Sequence, residues 1–255
     1  MTVLNIAIIT GASSGLGKEF AFSVEKLRKD IDEIWLIARR KDKLESISES
    51  LKTKSNVIPL DITDKESLLS YSELLEDGNI NVSLLINNAG FGKLGLFEDL
   101  TCEDNVGMIK LNCEALTAIT SLTLSKMEKG SEIINTCSIA SFAPNTRMTV
   151  YSATKAFVMS FSRSLREELK ERRINVLAVC PGPMDTEFLS VAGISKGKSH
   201  TFDTLPRVNP KIVAEKSVIA SGKKKAVYTN KLFYKFYRLL AKILPHSLVM
   251  KLAGA

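Results

Sequence analysis

Short apolar runs, largely β-branched, recur along the chain: "VLNIAIIT", "EIWLIA", "NVIPL", "VSLLIN", "SEIINTC" and "INVLAVC". They are mostly apolar on both faces, the pattern of strands covered on both sides rather than on one. Longer amphipathic stretches with helical spacing begin near Gly15, Asp42, Asp64, Thr101 and Tyr151. Strands alternating with helices predict an α/β fold, a single doubly wound domain with a mostly parallel central sheet flanked by helices. After Pro181 the pattern breaks into "PGPMDTEFLSVAGISKGKSHTFDTLPRVNP", too long for a simple turn and placed where lids and substrate loops arise (about 181–210). A helix from Lys211 to Ser221 and a strand in "KKKAVYT" complete a domain over 1–230, and 231–255 reads as a basic amphipathic helical extension.

Composition narrows this picture. At 255 residues and 45% hydrophobic the chain can fill a large core. The start "MTVLNIAIITG" lacks a basic leader, and no apolar run reaches the roughly 18 residues of a membrane span. The expectation is a cytoplasmic protein. Cys102, Cys113, Cys137 and Cys180 form no CxxC pair and there are only two histidines, so no metal site is expected and the thiols are read as reduced. The net charge is +7, yet Lys216–Ala255 holds nine Lys or Arg and no acid, leaving −2 on the first 215 residues. The excess is one basic surface element, which argues against a nucleic-acid partner.

The stretch "TGASSGLG", Thr10 to Gly17, carries two rival chemistries. As G-x-S-x-G it would present a nucleophilic serine, but it follows the first strand, where no earlier loop can complete an oxyanion hole, and His200 and His246 are poor triad candidates. As a glycine turn between strand and helix it suits a pyrophosphate on the helix amides, although Gly11-x3-Gly15-x-Gly17 departs from G-x-G-x-x-G. Ser152-Ala153-Thr154-Lys155 fits S-x-x-K, a pattern that recurs at Ser195–Lys198 with no K-T-G to accompany it, and is set aside.

Further points follow in order: Asp61-Ile62, Asn87-Asn88-Ala89-Gly90, Asn112, Ser138 in "CSIAS", Tyr151-Ser152-Ala153-Thr154-Lys155, and Pro181-Gly182-Pro183-Met184-Asp185-Thr186. With the glycine turn, this ordered set resembles the classical short-chain dehydrogenase/reductase family, to about residue 190. The resemblance implies a Rossmann-type domain and an NAD(P)-dependent enzyme interconverting a ketone and a secondary alcohol. It implies catalytic roles for Asn112, Ser138, Tyr151 and Lys155. Cofactor contacts are implied from Gly11, Ser13, Ser14, Gly15, Leu16, Gly17, Asp61, Ile62, Asn87, Ala89, Gly90, Tyr151, Lys155, Pro181, Gly182, Met184 and Thr186. Asn112 would hold a water relay to Lys155, which would also bind ribose hydroxyls. A homodimer or homotetramer paired through helices near 102–128 and 151–172 is implied as well.

The residues support this chemistry on their own. Tyr151 and Lys155 are four apart, on one helix face, where an ammonium is expected to lower the phenol's pKa. That would make Tyr151 a general acid for a carbonyl oxygen, with Ser138 bonding the same atom. NAD sites place an acid after the second strand; here "IARRKDKL" places Arg39 and Arg40, suited to a 2′-phosphate, so NADP(H) is expected. The family resemblance favours Arg39 in particular. Asp42 reads as a helix cap. In the tail, Lys231, Lys235, Arg238 and Lys242 form a stripe opposite Phe233, Phe236, Tyr237, Leu240, Ile243 and Leu244. Either the helix packs on the core with a solvated basic edge, or it lies on an anionic membrane or flanks an access path for lipophilic carbonyls. The substrate expected is a small-molecule carbonyl or alcohol, lipophilic or 3-oxoacyl in type. The alternative is an NADP-binding regulatory or scaffold protein of the same fold with little turnover.

Overall fold

The computed structural model describes residues 3–195 and 204–252. Seven strands form one parallel sheet in the order β3-β2-β1-β4-β5-β6-β7: β1 (Leu4–Thr10), β2 (Glu33–Ala38), β3 (Lys54–Pro59), β4 (Ile80–Asn87), β5 (Glu132–Thr136), β6 (Asn175–Val179) and β7 (Val227–Tyr228). Sequence order reverses between β1 and β4, which opens a crevice above their carboxyl ends. Alternation along β1 explains why its central run, Ile6–Ile9, is apolar. Ala7 and Ile9 pack with Phe20 and Val24 on one side, and Ile6 and Ile8 with Tyr71 and Ile119 on the other.

Helices α1 (Gly15–Leu27), α2 (Lys41–Ser50) and α3 (Lys65–Asp77) fill the first crossovers. Asp64 caps α3 by accepting the Ser67 amide at 2.8 Å. The stretch from Thr101 is α4 (Cys102–Ile109), a π turn (Lys110–Ala115) and α5 (Leu116–Thr123). Then come α6 (Thr149–Glu168), the short α7 (Glu187–Val191), α8 (Pro210–Gly222), α9 (Leu232–Ile243) and α10 (His246–Leu252).

Several boundaries differ from the sequence reading for local reasons. β3 starts at Lys54, before the apolar run, because an edge strand tolerates polar residues where backbone pairing continues. Asp42 lies inside the first turn of α2, and Arg40 holds the cap position, so Asp42 is not the cap. The seventh strand shrinks to Val227–Tyr228, the part that pairs with Ala178–Val179. Of the 181–210 connection, residues 196–203 lie outside the described residues, with His200 and most of the second S-x-x-K.

Candidate active site

The glycine turn takes its shape from backbone demands. Gly11 and Gly15 have φ of +65° and +52°, left-handed conformations that strain other residues. At Gly17 a Cβ would stand 2.0 Å from the Gly11 carbonyl oxygen, so the first turn of α1 can close against the loop only without a side chain. Across the crevice, Thr10 Oγ1 accepts the amides of Asn88 at 3.0 Å and Ala89 at 3.1 Å. The Asn88 side chain donates back to the carbonyls of Thr10 and Gly11, both at 3.3 Å. The turn is thereby stitched to the end of β4. No acid occupies the first turn of α1, so its amides face the crevice without a competing negative charge. A pyrophosphate suits this cradle.

Above the turn lies one cleft of about 1330 Å³. It gathers Gly11, Ser13, Ser14, Gly15, Leu16, Arg39, Arg40, Asp61, Ile62, Ala89, Gly90, Ser138, Tyr151, Lys155, Pro181, Gly182, Met184 and Thr186. Gly17, Asn87 and Asn112 are not on its wall. Asn87 points into the sheet interior, donating to Thr120 Oγ1 and Asn135 Oδ1 at 2.9 Å each. Its neighbour Asn88 faces the cleft instead, because successive strand residues point to opposite faces. Asn112, in the π turn, accepts the Phe91 amide at 3.0 Å. It donates to the Phe91 carbonyl at 2.9 Å and to Thr154 Oγ1 at 3.0 Å. Its side chain thus fastens the Gly90–Phe91 backbone to α6.

At the β2 end of the cleft, Arg39 is largely exposed and its Nη1 stands 3.8 Å from Asp61 Oδ2. Arg40 bends over the glycine turn, its Nη2 donating to Ser13 Oγ (3.1 Å), Ser14 Oγ (2.9 Å) and Glu187 Oε2 (2.8 Å). The Glu187 link was invisible in sequence, since 147 positions separate the partners.

At the other end, β5 delivers Ser138 and α6 delivers Tyr151 and Lys155. Ser138 Oγ accepts the Ala140 amide at 3.1 Å, which orients it at the strand's end. Lys155 Nζ donates to the Thr136 carbonyl at 2.9 Å and stands 5.7 Å from the Tyr151 ring centroid. Burial pushes the Lys155 ammonium down, against the neighbouring thiols Cys137, Cys113 and Cys180. Burial also pushes the Tyr151 phenol above its ordinary value, and the Ser138 hydroxyl only partly offsets this. Burial sets the direction of this shift, opposite to the lowering that the Tyr–Lys spacing suggested. Phe188, also unforeseen, packs on Tyr151 with ring centroids 5.6 Å apart.

The tail forms part of the same cleft. Tyr234 on α9 is fully buried, and its hydroxyl donates to the Pro206 carbonyl at 2.8 Å. Its ring takes the space beside Gly182, where a Cβ would come within 2.3 Å of it. Tyr237, Leu240 and Leu244 continue this wall. Leu232, Phe233, Phe236, Leu239 and Ile243 stay exposed, so α9 turns apolar surface both inward and outward. No helix among the described residues is long and apolar enough to cross a membrane. Among the same residues no cluster of three or more His, Cys, Asp or Glu could hold a metal.

A doubly wound sheet with a glycine turn at its switch point and a Tyr–Lys pair in the cleft above defines a Rossmann-type dinucleotide-binding protein. Residues 5–194 match the short chain dehydrogenase family. The chain belongs to that family. It is 33% identical over 231 residues to an NADP-dependent 3-hydroxy acid dehydrogenase of Schizosaccharomyces pombe, covering 86% of this chain and 88% of that one. It is 29% identical to an uncharacterized oxidoreductase of Staphylococcus aureus, over 91% and 98% of the two chains. Among solved structures, a short-chain dehydrogenase from Sphingobium yanoikuyae in complex with NADPH superposes with a TM-score of 0.76 at 28% identity, covering 95% and 97%.

Proposed function

We propose that this protein is an NADP-dependent oxidoreductase interconverting a ketone and a secondary alcohol, on a lipophilic or 3-oxoacyl-type substrate. The observation that carries this reading is that Tyr151, Ser138 and Lys155 line the same cleft as the glycine turn and the Arg39–Arg40 pair. The name of the Schizosaccharomyces pombe relative and the NADPH bound to the Sphingobium yanoikuyae enzyme support the cofactor assignment.

Gly11, Gly15 and the amides of α1 would hold the pyrophosphate, while Arg39 and Arg40 would hold the 2′-phosphate. The nicotinamide, when bound, supplies the hydride. Tyr151 donates its proton to the carbonyl oxygen, and burial favours its neutral form before the transfer. Ser138 bonds the same oxygen and orients it. Lys155, held at the Thr136 carbonyl, stabilises phenolate as the proton leaves. Asn112 acts as a positioning residue through Phe91 and Thr154.

The apolar wall supplied by Tyr234, Tyr237, Leu240, Leu244 and Val249, in the stretch read as an extension of the 1–230 domain, fits a lipophilic substrate. Its exposed residues Leu232, Phe236, Leu239 and Ile243, beside Lys235 and Lys242, suit peripheral contact with an anionic membrane. Exposed Val106 and Ile109 on α4 and Phe157 on α6 suit pairing between copies of the chain. Four unlinked cysteines suit a reducing, cytoplasmic setting.

The test is NADPH oxidation against a panel of apolar ketones and 3-oxoacyl thioesters. Tyr151→Phe should lower kcat by about 10²- to 10⁴-fold with cofactor affinity kept. Unchanged turnover in that variant would remove the mechanism, and no turnover of any substrate by the wild type would favour the scaffold reading.

A further inference from the structure

Two of the four cysteines face each other beneath the active site. Thr136 on β5 and Val179 on β6 are register partners, and the next residues are Cys137 and Cys180. The ladder continues through them: the Cys137 amide donates to the Val179 carbonyl at 2.8 Å. Residues paired across neighbouring strands project to the same face, and strands lie about 4.7–4.9 Å apart, within the Cα separations that disulfides span. Both side chains are buried in one small cluster with Leu116 and Val158. Only Cys137 reaches the cleft wall. Its Sγ stands 3.0 Å from the Lys155 carbonyl, and Ser138 is its chain neighbour.

We propose that Cys137 and Cys180 form a dithiol modification site, oxidised to a disulfide by a small peroxide that reaches Cys137 through the cleft. The Cys137 thiolate attacks one peroxide oxygen, the O–O bond breaks, and hydroxide leaves to take up the proton released by the thiol. Cys137 is then a sulfenic acid. Cys180 sulfur attacks Cys137 sulfur; the S–S bond forms, the S–O bond breaks, and the departing hydroxide leaves as water with the Cys180 proton. Two thiols and one hydrogen peroxide give one disulfide and two waters. The sulfurs lose two electrons and the peroxide gains them.

The surroundings favour Cys137 as the attacking group. Burial alone would push its thiol up. Hydrogen bonding from Cys180 and Ser141, the Lys155 ammonium and the Ser138 backbone outweigh burial and bring it down, whereas Cys180 is raised by burial and by its neighbour. The Lys155 ammonium gives Cys137 an electropositive setting that favours thiolate, at a buried thiol that touches the cleft wall.

The disulfide would alter the catalytic floor. Bonded Cβ atoms lie about 3.5–4.5 Å apart, so the two side chains must swing toward each other from their parallel, in-register directions and the chain at the ends of β5 and β6 must adjust. Ser138 follows one cysteine and Pro181–Gly182 the other, so the residues over the carbonyl oxygen shift with them. Strain of this kind also makes the bond easy to reduce, as reversibility requires.

Peroxide treatment of the full chain, followed by alkylation under denaturing conditions and peptide mapping, tests the site without turnover. The expected result is a linked Cys137–Cys180 peptide pair, lost on adding dithiothreitol. In Cys180→Ala the sulfenic acid on Cys137 should persist and be trapped by dimedone. Both thiols still alkylated at peroxide levels that oxidise exposed Cys102, or Cys137 passing to sulfinic acid unlinked, would overturn the proposal. This mapping succeeds or fails whether or not the proposed reaction is right. If that reaction holds, linkage should cost about 10²-fold in kcat, the scale of a 1 Å misplacement, and dithiothreitol should restore it. A linked enzyme at full activity would reduce the site to a modification without consequence and overturn its effect on the floor.

Discussion

Glu187 Oε2 lies 2.8 Å from Arg40 Nη2, tying helix α7 at the cleft mouth to the residue arched over the glycine turn. The Arg40 guanidinium holds the Glu187 carboxyl below the usual range. A 2′-phosphate on Arg40 must share or displace this carboxylate. Glu187→Gln should therefore tighten NADPH binding about two- to fivefold, the scale of an exposed ion pair, with NADH little changed. Fluorescence titration with both cofactors measures this, and equal weakening of both would show Glu187 to be a clasp rather than a competitor.

The pair after β2 should set cofactor choice. Replacing Arg39 or Arg40 by Ala should each raise the Kd for NADPH about ten- to a hundredfold, since hydrogen bonds to charged groups contribute about 1.5–3 kcal/mol. NADH should lose much less. Equal losses for both cofactors in calorimetric titrations would place the 2′-phosphate elsewhere.

Gly182 leaves room for the Tyr234 ring, and the tail depends on that space. Gly182→Ala places a Cβ within 2.3 Å of the ring and should destabilise by about 1–3 kcal/mol. For a chain of this size that lowers Tm by roughly 2–4 °C per kcal/mol. Adding Tyr234→Ala should make the second cost smaller than in the wild type, because the clash is already gone. Strict additivity by calorimetry would mean that the two side chains do not meet.

Acid sensitivity should trace in part to Arg28. Its Nε and Nη2 donate to the two oxygens of Asp30 at 2.9 and 2.8 Å. That hydrogen-bonded pairing holds the Asp30 carboxyl below its ordinary value. The unfolded chain then takes up the proton more readily. The contribution is full above the ordinary carboxylate value, about 4, and disappears as pH falls through the folded value. Asp30→Asn should lower Tm at neutral pH, and its gap to the wild type should close on acidification. A gap that stays constant to pH 2 would remove Asp30 from the account.

How much of this was legible beforehand varied by element. The buried strands announced themselves, because a strand covered on both faces must be apolar along most of its length, as β1 over Ile6–Ile9 and β6 over Val176–Val179 are. Tyr151 and Lys155 were readable as a pair because helical periodicity alone places them on one face. A strand in "KKKAVYT" was readable too, but its two-residue extent was not, since its pairing depends on β6 rather than on its own composition. Asn87 and Asn88 were indistinguishable as letters; the pleat decides which faces the cleft. The direction of the Tyr151 shift was misread because a neighbouring charge is visible in sequence and the depth of burial is not.

The sequence by itself determined the alternation of strands and helices, the glycine turn, the Tyr–Lys spacing and the confinement of excess positive charge to the last forty residues. These follow from local rules of backbone sterics, periodicity and composition. The tertiary structure decided the Arg40–Glu187 tie, the Cys137–Cys180 register and the seat of Tyr234 against Gly182. Each joins residues far apart in the chain, and the joining force is packing and hydrogen bonding after the sheet has set its order, which no local pattern encodes.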